Sequence, residues 1–98
     1  MSLKKQYFKT KSVGKVTFEY TNENAKNVNL IGDFNNWDIN GIPMKKKKNG
    51  EFSIAVELEK GKEYQFKYLI DGNEWDNDME ADKFVMNEFQ GENSVVIV

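Results

Sequence analysis

The stretch EFSIAVELEKGKEYQFKYLIDGN, residues 51–73, decides the fold class. Phe52, Ile54, Val56 and Leu58 alternate with Ser53, Ala55 and Glu57, and beyond Lys60-Gly61-Lys62 a second stripe follows at Tyr64, Phe66, Tyr68 and Ile70. Successive side chains of a strand point to opposite faces, so a period of two marks a strand with one buried face. Two such stripes around a short glycine-containing link predict an antiparallel hairpin, bounded at its far end by Asp71-Gly72-Asn73.

Working outward, Val16, Phe18 and Tyr20 alternate with Thr17 and Glu19 in the same way. Shorter strands are predicted over Val28 to Ile31, Phe84 to Met86 and Val95 to Val98, with a further N-terminal segment near Tyr7 and Phe8. No segment carries a helical period of useful length. Six or seven short strands joined by Gly- and Asn-containing turns predict an all-β sandwich. Residues 33–50 read as a turn-rich loop, because the side chains of Asp33-Phe34-Asn35-Asn36-Trp37-Asp38 offer many competitors for backbone hydrogen bonds. The run Lys45-Lys46-Lys47-Lys48-Asn49-Gly50 reads as a solvated loop ending in a turn. The 98 residues contain one proline and no linker or repeat, so one domain is expected, with residues 1–12 as an N-terminal extension or edge strand and 13–98 as the sandwich.

Composition removes much chemistry. There is no cysteine and no histidine, hence no disulfide framework, thiolate nucleophile, Cys/His zinc site, Ser-His-Asp triad or imidazole base. Fourteen basic residues against sixteen acids leave a net charge of -2, unlike the basic excess of a nucleic-acid binder. That sum conceals an asymmetry: residues 1–48 hold ten lysines against four acids, and 49–98 hold four against twelve. Interleaving of the two halves in the sheets would neutralise it. The apolar stretches are too short to span a membrane, and the opening MSLKKQYFKTKSVGK lacks the apolar core of a signal peptide. We therefore expect a cytoplasmic protein, or a piece of a larger one.

Asp71, Glu74, Asp76, Asp78, Glu80, Asp82, Glu88 and Glu92 form a carboxylate-rich stretch that reads as a solvated acidic edge. It supplies oxygen ligands for calcium, but not in the spacing of an EF-hand loop. Two carboxylates would suffice for glycoside hydrolysis, yet that chemistry also needs an enclosed cleft, which a chain of this size can scarcely build. We expect no enzyme and no cofactor.

Trp37 and Trp75 both stand in polar surroundings. Either their rings cap open ends of the sandwich, or they face a ligand. A sugar ring presents a C–H face that can lie flat on an indole while its hydroxyls seek donors and acceptors nearby. Lys67 alternates with Phe66 and Tyr68 and so faces outward, where its stem can lie on apolar surface and its ammonium can donate to hydroxyls.

Taken in order, Val28-Asn29-Leu30-Ile31-Gly32-Asp33-Phe34-Asn35-Asn36-Trp37, Pro43-Met44, Tyr64-Gln65-Phe66-Lys67-Tyr68-Leu69-Ile70-Asp71-Gly72, Trp75 and Asn93-Ser94-Val95-Val96 resemble the glycogen- and starch-binding modules of carbohydrate-binding family 48. These are also called isoamylase N-terminal or early-set domains, and they include the glycogen-binding domain of the AMP-activated protein kinase beta subunit. The resemblance covers about residues 13–98. It implies an immunoglobulin-like β-sandwich of early-set type that binds α-1,4-linked glucan, glycogen or starch, without cleaving it. It implies Trp37 and Trp75 as stacking platforms, Lys67 and Asn93 as partners of sugar hydroxyls, and Phe89 as an added apolar wall. The alternative it leaves open is a structural or protein-interaction domain that docks a separate glycogen- or starch-processing enzyme. The two part on one criterion: binding requires both indoles on one surface beside Lys67 and Asn93, whereas a ring in the core favours docking. One departure stands out, Asp78-Met79 where the family commonly has Asp-Pro, from which a more mobile acidic loop is expected.

Overall fold

A computed structural model of the chain describes residues 2–89 and 91–98. Among the described residues the chain forms ten strands: β1 (Ser2–Tyr7), β2 (Val13–Thr21), β3 (Val28–Gly32), β4 (Ile42–Pro43), β5 (Lys45–Lys46), β6 (Glu51–Glu59), β7 (Glu63–Ile70), β8 (Glu74–Asp76), β9 (Lys83–Met86) and β10 (Glu92–Ile97). They build two antiparallel sheets, one in the order β1-β2-β6-β5 and the other β4-β3-β7-β10-β9, with β8 paired to β7. The fold is an all-β sandwich.

The period-two stripes supply its core. Val16, Phe18 and Tyr20 from β2 and Phe52 and Leu58 from β6 face Val28 and Leu30 from β3, Phe66, Tyr68 and Ile70 from β7, and Val96 from β10. Aromatic rings tie the sheets together. Phe18 meets Phe66 edge-on with centroids 5.0 Å apart, and Tyr20 tilts against Tyr68 at 4.7 Å; such pairs contribute about 0.5–1.5 kcal/mol beyond the area they bury.

Residues 51–73 form the two strands expected, but not as one hairpin. β6 pairs with β2 in the first sheet and β7 with β3 and β10 in the second, so Lys60-Gly61-Lys62 carries the chain across the sandwich. Each side of this link is held in its own sheet: Lys60 N–H donates to Ser12 O at 2.9 Å, and Val98 N–H donates to Lys62 O at 2.9 Å. A crossing and a hairpin both bury one face of each strand, so alternation alone does not separate them. What decides is packing between the sheets: Phe66 and Tyr68 of β7 meet Phe18 and Tyr20 of β2, the strand to which β6 pairs.

Two further expectations are corrected. Lys45 and Lys46 are not simply loop; they pair with Ser53 and Phe52 as an edge strand, where exposed lysines discourage pairing with another chain. The acidic stretch is not uniformly solvated either. Asp78 is fully buried, accepting from the Tyr68 hydroxyl at 2.8 Å and from Glu80 N–H at 2.9 Å, while its own N–H donates to Ser94 Oγ. Burial pushes the Asp78 carboxyl up, and burial with the Asp76 carboxylate beside it pushes the Tyr20 phenol up to about 12. Instead of the loose loop expected from the missing proline, residues 76–82 are tied to both sheets: Asp82 Oδ2 also accepts from Lys5 Nζ at 2.6 Å and from Ile97 N–H at 2.7 Å.

Asp71, opening the β7–β8 turn at φ 51°, latches that turn to the loop before β3. Its Oδ1 accepts from Asn27 N–H at 2.8 Å and Lys26 N–H at 2.9 Å, and these bonds hold the carboxyl below its ordinary range. A carboxyl whose folded pKa is depressed stabilises the fold above its unfolded value of about 3.9 and loses that contribution as pH falls through the folded value. Asp71→Asn keeps an oxygen for both donors and tolerates the left-handed backbone, so it removes the charge alone. We expect its urea midpoint to lie below wild type at pH 7 and the gap to close in the acid range. A gap that persists unchanged at low pH would contradict this.

Candidate carbohydrate-binding groove

Each residue of Gly32-Asp33-Phe34-Asn35-Asn36-Trp37 has a structural role in presenting the indole. A 3-10 turn, Asp33–Asn35, follows β3. Asn35 clamps it, accepting from Gly32 N–H at 3.0 Å and donating to Leu30 O at 3.1 Å. Phe34 packs inward between Phe18 and Tyr64. Asn36 and Trp37 both take left-handed backbone, φ 58° and 56°. For a bulky residue such as tryptophan this costs on the order of 1–3 kcal/mol and is sustained only where the surroundings over-determine it.

Those surroundings centre on Asp33. Its Oδ1 accepts from the Trp37 indole N–H at 2.9 Å and its Oδ2 from Gln65 N–H of β7 at 2.8 Å. One carboxylate thus fixes the indole against the neighbouring strand. Trp37 is half-buried.

Trp75 comes from β8 and pairs in register with Leu69, so its indole stands on the outer face of the second sheet, 46% exposed. Strand rather than polar turn carries it: the reversal closes at Asn73, whose N–H donates to Ile70 O at 3.1 Å, and β8 begins at Glu74. Lys67 occupies the same face of β7; its Nζ donates to Glu92 O at 3.0 Å, leaving further N–H groups for other acceptors.

Trp37, Lys67, Trp75, Asn93 and Phe89 line one groove of about 850 Å³ on this face, within the size range of small-molecule sites. Phe89, 82% exposed, stands on the β9–β10 turn at its wall. Neither indole belongs to the core. Asn93 is different: only 8% of it is exposed, and its amide donates to Gln65 Oε1 at 3.0 Å while accepting from Asn87 Nδ2 at 3.1 Å. Gln65 and Asn87 also line the groove, and the sequence reading passed over both. Gln65 had a signal, since it lies two residues before Lys67 and so on the same face. Asn87 had none beyond its place after a strand.

The arrangement offers apolar platforms flanked by amide and ammonium groups, which suits a ligand with both an apolar face and hydroxyls. Among the described residues no group of acidic, histidine or cysteine side chains is arranged to hold a metal ion, and no helix is long and apolar enough to cross a membrane.

Fold and face together describe a β-sandwich module with an open, aromatic-lined groove on its second sheet. Residues 5–96 match carbohydrate-binding module 48, the isoamylase N-terminal domain, and the chain belongs to that family. The family is one of non-catalytic modules that bind carbohydrate, and its members generally act on α-glucan polysaccharides as binders. No curated protein sequence matches the chain.

Proposed function

We propose that the protein binds α-1,4-linked glucan, glycogen or starch, through the groove between Trp37 and Trp75. The observation that supports this best is the convergence of two indoles, supplied by separate loops and strands, on one face beside Lys67 and Phe89. A helical glucan presents a curved row of C–H faces. Two platforms set apart on a concave surface meet successive glucose units, while Lys67 donates to hydroxyls at the rim. The groove is open, so it covers little ligand area and single-site affinity is weak; a branched polymer compensates through many sites on one particle.

Native gels containing glycogen or amylopectin test this. The protein is expected to be retarded in both and to migrate freely in xylan, whose backbone lacks the α-1,4 curvature. Equal migration in all three overturns the proposal.

A further inference from the structure

Three carboxamides join across the floor of the groove, and their order fixes which atom faces the ligand. Asn87 Oδ1 accepts from two backbone groups of the β9–β10 turn, Phe89 N–H at 2.9 Å and Gly91 N–H at 3.0 Å. Only an oxygen can accept, so its Nδ2 must be the end that donates to Asn93 Oδ1 at 3.1 Å. Asn93 Oδ1 being taken as the acceptor, its Nδ2 donates onward to Gln65 Oε1 at 3.0 Å. The chain of bonds therefore ends at Gln65 Nε2, which has no partner among the described residues; Gln65 lines the groove from β7, which pairs with β3, leading into the Trp37 turn, and with β8, carrying Trp75. An amide orientation that is usually free to flip is here dictated by two peptide N–H groups three side chains away.

We infer that Gln65 is a specificity-determining residue of this groove, contacting the sugar as an obligatory hydrogen-bond donor, and that Asn87 and Asn93 are positioning residues that set its polarity. Resting on the glucan reading above, this gives the buried Asn93 a role in holding Gln65, with the second hydrogen of its Nδ2 left for a sugar hydroxyl. The same Asn87 oxygen also secures the turn that carries Phe89, so the apolar wall and the donor are aligned by one side chain. The ligand group opposite Gln65 is a hydroxyl, ring or glycosidic oxygen offering a lone pair.

Calorimetric titration of the intact chain with maltoheptaose tests it. Gln65→Met removes the donor; Gln65→Glu removes it while keeping an oxygen for Asn93 Nδ2, so it guards against loss of the groove floor. Asn87→Asp keeps both bonds to the turn but cannot donate to Asn93, and reverses the chain so that Gln65 turns its carbonyl to the ligand. Each is expected to bind about five- to tenfold more weakly, the usual worth of one hydrogen bond. The double variant Asn87→Asp/Gln65→Met should bind no more weakly than Gln65→Met, although the two residues do not touch. That coupling is not expected of a merely structural asparagine. If Gln65→Glu binds as wild type, or the two effects add, the inference fails while the glucan reading stands. A wild type that does not bind maltoheptaose, and is not retarded by glycogen, overturns both.

Discussion

Gly32→Ala is expected to lower the stability of the fold by about 2–3 kcal/mol, the range for overpacking a tight interior, and its melting temperature by about 10–20 °C. The backbone at Gly32 is extended, φ -175°, a conformation open to any residue, so the cost does not come from dihedral preference. It comes from space. A Cβ there would collide with the Gln65 carbonyl oxygen and stand 2.9 Å from Phe66 Cβ and 3.0 Å from Phe66 Cα. Those atoms belong to the central strand β7, which pairs with β3 on one side and β10 on the other and cannot retreat without opening a ladder. Gly61→Ala is the informative contrast: nothing lies within 4 Å of its Cβ, and its cost comes only from the left-handed φ of 79°, about 1 kcal/mol. Thermal and urea unfolding of the two variants checks the ranking. A Gly32→Ala protein as stable as wild type would mean that β3 and β7 can separate freely, and the close approach would lose its significance.

Trp75→Ala and Trp37→Ala are each expected to weaken glycogen retention by about 2 kcal/mol, roughly 30-fold, as for removal of a central aromatic anchor. Trp75 is almost half exposed and lies outside the core cluster, so its removal should change the unfolding midpoint little. Trp37 allows a second comparison, because its backbone is left-handed and Asp33 holds its indole N–H. Alanine keeps the dihedral penalty and glycine does not. Trp37→Gly should therefore match Trp37→Ala in lost retention yet exceed it in stability by about 1 kcal/mol. Unchanged migration of both alanine variants beside a retarded wild type would sink the two-indole assignment. Equal stability of the alanine and glycine variants would show that the turn relaxes when the indole is removed.

Much of this molecule was legible in the chain. Val16-Phe18-Tyr20, Phe52-Leu58 and Phe66-Tyr68-Ile70 announce strands because the period of two is a local property of an extended backbone, independent of what pairs with what. The same rule puts Lys67 on the outer face, and Asp71-Gly72-Asn73 marks a reversal because those residue types tolerate turn conformations. Trp37 and Trp75 were singled out by their polar surroundings and Lys67 by alternation with Phe66 and Tyr68, whereas Asn93 and Phe89 were reached only through the ordered resemblance.

Other features depended on long-range partners. Asp78 gave no sign of burial; among seven other carboxylates it looked solvated, and its interior position is tolerable because Tyr68 and Glu80 N–H donate to its carboxylate while Ser94 accepts from its own N–H. Asn93, expected as a partner of sugar hydroxyls, became the middle of a bonded chain once β7, β9 and β10 lay side by side.

The sequence by itself determined the long strands, which face of each is apolar and that neither cysteine nor histidine is present. Tertiary structure alone decided that the strands flanking Lys60-Gly61-Lys62 belong to different sheets, that Asp33 locks the Trp37 indole to β7, and that Gln65 ends a polarised row of amides. The division has one physical cause. Alternation and turn propensity act between neighbours in the chain, whereas sheet partnership, burial of a charge and the direction of an amide are settled by groups dozens of residues away, as Asp33 and Gln65 are.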